Sequence, residues 1–189
     1  MSSLFLLSAR EFSIKNTEQQ GPQLHTRIPG VSLVLFYSKS CSFCQTLIPI
    51  FKNLPSKVNG IHFAMANISA DGGRLQKMSE ATQSKFTYVP LLVLYVNGVP
   101  YMEYKGPKTL ENMAKFVFEV SQKLEKNQDF SFGRVCKNPN SNIPGYCAGQ
   151  NEQDDDVCFL TYDEAYGNKP VGKSSDSYTY AEVYGGAKV

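Results

Sequence analysis

Three nearly continuous apolar runs govern what this chain can fold into. VSLVLFY (31–37) carries β-branched and aromatic residues without polar alternation; IHFAMANI (61–68) and LLVLYV (91–96) read in the same way. A strand of this kind is buried on both faces, so its sheet needs cover on two sides. Between the runs the period changes. After SCSFC, Leu47, Ile48, Ile50, Phe51 and Leu54 mark a helix that Pro49 should kink, and Leu75, Met78 and Ala81 mark a second one around 73–84. Asn97-Gly98 joins LLVLYV to PYMEYK (100–105) as a β-hairpin. Thr109 is placed to cap a final amphipathic helix whose stripe is Leu110, Met113, Phe116, Val117, Val120 and Leu124. The order is a βαβ unit followed by a ββα unit, which predicts an α/β sandwich around a central mixed sheet.

This core occupies 31–125, within a length suited to one domain plus an extension. Before it, 1–30 is an N-terminal segment with one expected strand at Leu4–Leu7. MSSLFLLSAREF has no basic stretch ahead of its apolar patch and makes a poor signal peptide. No run is long enough to span a membrane, and the expected setting is cytoplasmic. After the core, 126–189 has only ten Leu, Ile, Val, Phe or Met among its 64 residues but six of the eleven tyrosines. It reads as a tyrosine-rich tail, too poor in apolar residues to fold alone, that docks on the domain or on a partner; 157–162 is a further strand, and the last twenty residues are expected to be disordered when unbound. Residues 1–125 carry 13 Lys/Arg against 8 Asp/Glu, and 126–189 carry 6 against 9. Neither imbalance is the strongly basic face that nucleic acid requires.

The chemistry lies in SCSFCQ (40–45). Cys41 and Cys44 stand where a buried strand gives way to a helix. The free N–H groups and macrodipole of a helix N-terminus favour a thiolate, so Cys41 is the expected exposed nucleophile, and Cys44, one turn further in, the buried resolving thiol. A structural zinc site commonly uses two close cysteine pairs, and there is no second C-x-x-C; no metal or organic cofactor is expected. Phe43 would add an exposed apolar ring beside the nucleophile. Cys136, Cys147 and Cys158 bring the cysteine count to an odd five. Two readings of these three stay open: reduced thiols or one local disulfide, or one of them exchanging with Cys41 as an internal relay. His25 and His62 have no partner at catalytic spacing, and Asp154-Asp155-Asp156 reads as a solvated loop.

Residues 31–125 resemble the thioredoxin family. The resemblance rests on Cys41-x-x-Cys44 between strand and helix, Pro49 five residues after the second cysteine, Val89-Pro90 before the third central strand, Asn97-Gly98 in the hairpin and Gly106 before the last helix. It implies a thioredoxin-like fold and a thiol–disulfide oxidoreductase acting on protein cysteines, with Pro90 cis against the dithiol and the backbone at Val89 pairing with an extended substrate. The chain departs from the family at Leu35 and Met65, where a buried acid and its lysine partner are usual, at Ser40 in place of tryptophan, and in the unusual pair Ser42-Phe43. Without the acid, deprotonation of Cys44 lacks its usual support. VCFLTYDEAYG in the tail, with the fold before it, resembles thioredoxin-like proteins of large DNA viruses. That implies a virion or virus-factory setting, beside a flavin-dependent sulfhydryl oxidase. The alternative function is a redox-idle structural or adaptor component of a larger assembly such as a virion, using 126–189 as its contact arm.

Overall fold

A computed structural model describes residues 3–17, 20–126, 135–138, 141–147 and 156–160. Its strands are β1 (Leu4–Leu7), β2 (Phe12–Thr17), β3 (Gly21–Thr26), β4 (Val31–Tyr37), β5 (His62–Asn67), β6 (Tyr88–Val89), β7 (Leu91–Val96), β8 (Val99–Tyr104), β9 (Val135–Cys136), β10 (Gly145–Tyr146) and β11 (Cys158–Phe159). The α-helices are α1 (Ser42–Lys52), α2 (Arg74–Glu80) and α3 (Leu110–Glu125). The main sheet runs β1-β5-β4-β7-β8-β10-β9. β1, β5 and β4 are mutually parallel, and β7 is antiparallel to β4 and to β8. This is the mixed α/β sandwich that the order of elements predicts.

The alternation of each central strand sorts its residues into two apolar layers. Leu33 and Leu35 of β4, Phe63 and Met65 of β5, and Leu92 and Leu94 of β7 face α1 and α3 through Leu47, Phe51, Met113, Phe116 and Val120. Val34, Phe36, Ala64, Ala66, Val93 and Tyr95 fill the opposite layer. That layer is covered by Leu75 of α2, by Phe86 and Tyr88, and by an antiparallel hairpin of β2 and β3 through Phe12 and Leu24. The hairpin is a second structural element of the N-terminal segment beyond the strand expected there. Its apolar residues are too few among polar ones for an alternation to stand out.

Local chemistry explains other boundaries. Asn97 and Gly98 have φ of 51° and 80°, as a tight hairpin turn requires. A Cβ on Gly98 would also lie 2.3 Å from the Thr26 carbonyl oxygen, where β3 meets the turn. α2 stops at Glu80, short of the expected 84. There the Thr82 hydroxyl donates to the Ser79 carbonyl and accepts from the Ser84 N–H, while the Gln83 N–H donates to the Pro22 carbonyl of the hairpin. Such side-chain bonds offer the backbone an alternative to the helix. α1 runs through Pro49 to Lys52, and Thr109 caps α3 by accepting from the Asn112 N–H.

The described parts of the tail dock on the domain. β10 lies parallel to β8, and Tyr146, almost fully buried, packs on Tyr104 and Phe116 and donates to the Glu119 carboxylate at 2.6 Å. Cys136 and Cys147 form the local disulfide that sequence left open. The last twenty residues, expected to be disordered, lie outside the described residues.

Leu35 and Met65 face each other in register on β4 and β5, 0% and 3% exposed. The pair that replaces acid and lysine is thus a packed apolar contact. Leu35→Asp alone should place an unpaired charge in this layer and lose about 3–5 kcal/mol of stability. Adding Met65→Lys should recover part of that loss, read by denaturant unfolding of the two variants side by side.

Candidate functional site

The loop before α1 is ordered by three hydroxyls. Ser38 Oγ lies 2.9 Å from Ser40 Oγ and 3.0 Å from Ser69 Oγ, and the Ser38 carbonyl accepts from the Cys41 N–H. Cys41 is the N-cap of α1, with extended backbone and no side-chain capping bond, so its sulfur is free for other chemistry at the positive end of the helix. Cys44 follows one turn later on the buried stripe that continues through Leu47 and Phe51. Both sulfur-bearing residues face the second apolar layer, beside Tyr88 and Val89.

Val89-Pro90 is a cis peptide, as the resemblance implied, and the Cys41 sulfur lies 3.5 Å from the Val89 carbonyl oxygen. Val89 and Tyr88 form β6, which does not join the main sheet. Its ladder is taken up by the tail instead: β11 pairs antiparallel, Cys158 opposite Val89 and Phe159 opposite Tyr88. The Leu160 N–H donates to the Thr87 carbonyl, and the Phe159 ring meets Tyr88 edge-on at 6.3 Å. Val157 is buried in the same cluster. At the centre of this ladder, Cys158 is disulfide-bonded to Cys41, with 5.8 Å between their Cα atoms.

This corrects one expectation. Cys41 is not an exposed nucleophile: it is 2% exposed, because a strand from the tail lies over it and is covalently attached. Cys136 and Cys147 pair locally, and Cys158 pairs with Cys41. The expected strand at 157–162 is realised as Cys158–Phe159, with residues beyond 160 outside the description. Phe43 stands 38% exposed on the first turn of α1. Of the acidic run, only Asp156 is described, and it is exposed. His25 and His62 stand on β3 and β5; the His62 ring meets Phe5 at a tilt, and His62 lies 3.2 Å from the Ser3 hydroxyl.

Cys44 is the free thiol and is fully buried. Burial pushes it above the ordinary thiol range, against a backbone hydrogen bond at Ser38 and the positive charge of Lys108, which pull it down. The charge that tunes Cys44 is therefore a cation from the loop before α3 and not a carboxylate beneath it. Sequence reasoning did not single out Lys108 or Tyr88, since neither sits at a recognisable spacing from the dithiol. The odd cysteine count was the signal for Cys158, but it could not choose among three tail thiols.

Comparison with known proteins agrees with this geometry. The family model described as Thioredoxin matches residues 23–119. Uncharacterized protein 196R of Invertebrate iridescent virus 6 is 32% identical over 139 residues, spanning 74% of this chain and 76% of that protein. Uncharacterized protein 020R of Invertebrate iridescent virus 3 is 29% identical over 168 residues, 86% of this chain and 96% of that protein. Protein disulfide-isomerase like 2-2 of Arabidopsis thaliana is 26% identical over 99 residues, which cover 52% of this chain and 21% of that longer protein.

In the form that holds Cys41–Cys158, ultraviolet thiolate absorbance, corrected with Cys44→Ser, reads Cys44. Because burial raises its pKa, the thiolate should appear only above the ordinary thiol range. Lys108→Gln, which removes a stabilising charge, should move that midpoint further up. A midpoint below the ordinary range in the native protein would contradict the burial argument.

Proposed function

The chain belongs to the thioredoxin family, and from that premise we propose that it exchanges thiols and disulfides with protein substrates through Cys41 and Cys44. The observation that carries this reading is the placement of Cys41. It caps a helix and bonds a cysteine on an extended strand, and that strand is paired with the backbone at Val89. A protein substrate held as a mixed disulfide needs this same arrangement.

In the reducing direction, the Cys41 thiolate attacks one sulfur of a substrate disulfide. One substrate thiolate leaves, and a Cys41–substrate disulfide forms. Cys44 then gives up its proton and attacks the Cys41 sulfur; the second substrate thiolate leaves, and Cys41–Cys44 forms. The substrate gains two electrons and the dithiol loses two. Run backwards, the same steps oxidise a substrate dithiol, so direction follows the partner that recharges the pair. Val89 supplies backbone pairing for the substrate strand, Pro90 holds that backbone beside Cys41, and Phe43 offers an exposed ring to the incoming protein. Among the described residues no carboxylate acts on Cys44, and Lys108 favours its thiolate. Resolution is then the slower half of the cycle.

We propose a virion or virus-factory setting for this exchange, on the ground that two relatives are proteins of iridescent viruses. A redox-inactive adaptor is the outcome if the dithiol does not turn over.

Reduction of insulin by dithiothreitol tests the reading. The protein should accelerate it, and Cys41→Ser should return the rate to the uncatalysed level; no acceleration by the native protein would sink the proposal. Turnover limited by Cys44 should rise with pH from neutrality upward, since its raised pKa keeps it a thiol there. Cys44→Ser, which cannot resolve, should accumulate substrates as mixed disulfides on Cys41, recoverable on non-reducing gels and identifiable by mass spectrometry.

A further inference from the structure

The Cys41–Cys158 link differs in kind from the other disulfide. Cys136–Cys147 closes a short loop at the sheet edge, where Gly145 leaves no room for a side chain beside the Cys136 sulfur. Cys41–Cys158 instead joins the helix N-cap to a strand two residues long. The one free thiol, Cys44, lies three residues from Cys41 and in the same apolar cluster. The Cys41 sulfur of that bond is therefore the one within reach of a thiol one helical turn away, which is the placement that exchange requires.

We propose that Cys158 is a third redox cysteine of this site, carried on a tethered strand that stands in for a substrate and is displaced by Cys44. The inference rests on the thiol–disulfide reading above. In the step, the Cys44 thiolate attacks the Cys41 sulfur. The Cys41–Cys158 bond breaks, the Cys41–Cys44 bond forms, and Cys158 leaves as a thiolate that regains the proton Cys44 lost. One disulfide is exchanged for another, so no oxidant or reductant is consumed. The exchange also releases the covalent hold on β11. Its non-covalent hold includes the two-residue ladder, a hydrogen bond from Leu160, the edge contact of Phe159 on Tyr88 and the burial of Val157. When the arm swings away, the Val89 edge is open to an external strand. When it returns, its tether gives it a high effective concentration against any free competitor. The arm is thus both a resident electron carrier and a gate on the substrate edge.

Val157, Cys158, Phe159 and Leu160 also describe what that edge accepts. The cysteine lies opposite Val89, a flat ring follows it over Tyr88, and apolar residues bury on either side. Substrates that displace the arm are extended segments of this apolar-cysteine-aromatic kind.

The test uses the oxidised full-length protein, whose only free thiol at the start is one of Cys44 or Cys158. It is incubated with N-ethylmaleimide without reductant, quenched in acid at intervals, and mapped by non-reducing peptide mass spectrometry. Label should accumulate on Cys158 together with a Cys41–Cys44 disulfide, while Cys136–Cys147 stays intact. Cys44→Ser should slow labelling of Cys158 by about tenfold or more, because nothing then displaces it; Cys44→Ala replaces it if a buried hydroxyl unfolds the protein. Label on Cys44 alone, with Cys41–Cys158 intact, or equal labelling of Cys158 in native protein and variant, overturns the proposal. Insulin reduction by Cys158→Ser separates this from the reading beneath it. Turnover there, with no label on Cys158 of the native protein, overturns the arm alone. No turnover in either protein overturns the dithiol reading itself.

Discussion

Strands β4, β5 and β7 bury alternate residues into two separate apolar layers, so each face of the sheet needs its own cover. The arrangement depends on this. α1 and α3 cover one face, and the hairpin of β2 and β3, with α2 and the segment at Phe86–Val89, covers the other. α1 meets both layers: its body, at Leu47 and Phe51, packs under the sheet, while its first turn carries Cys41 and Cys44 into the layer on the far side. The dithiol is therefore positioned by core packing. Because its surroundings are apolar, the electrostatics available to it are few and local: the helix end, the Ser38 backbone and Lys108.

Much of this was legible in the sequence because it follows from period and punctuation. Runs such as VSLVLFY cannot be placed anywhere but in a covered strand, Asn97-Gly98 supplies the positive φ its turn needs, and Thr109 caps the helix it precedes. Cys41 and Cys44 were legible for the same reason, since a strand-to-helix junction is visible in the pattern. The N-terminal hairpin was not. Its partner strands interleave Phe12 and Leu24 with lysine, asparagine and glutamine, and its place is decided by contacts of Thr26 with Gly98 and of Pro22 with Gln83, which are remote in sequence. The covering of Cys41 was invisible for a related reason. Which of three cysteines reaches it depends on how far the tail travels around the domain, and local spacing holds no record of that path.

Leu35 and Met65 show how two substitutions can remain mutually consistent. A buried carboxylate or a buried ammonium alone is costly, and an apolar pair in register costs nothing of that kind. The layer gains packing and the thiol behind the helix loses a proton acceptor. Lys108 acts on the other side of the balance by favouring the thiolate electrostatically, without taking up the proton. Burial is the larger effect and holds the thiol protonated, while Lys108 opposes it.

The Cys41–Cys158 bond also has a topological meaning. It spans a sequence separation of 117 residues and so encloses most of the folded domain in a single covalent loop, whereas a bond between Cys41 and Cys44 would enclose almost nothing. In the chain-entropy account, a cross-link across about 100 residues removes unfolded-state freedom worth about 4 to 5 kcal/mol, and a very short loop removes far less. The domain's resistance to unfolding is then tied to which of two neighbouring sulfurs Cys41 holds. A molecule with its arm bound is the more tightly constrained one, and a molecule ready for an outside strand is the one whose polypeptide has recovered its freedom.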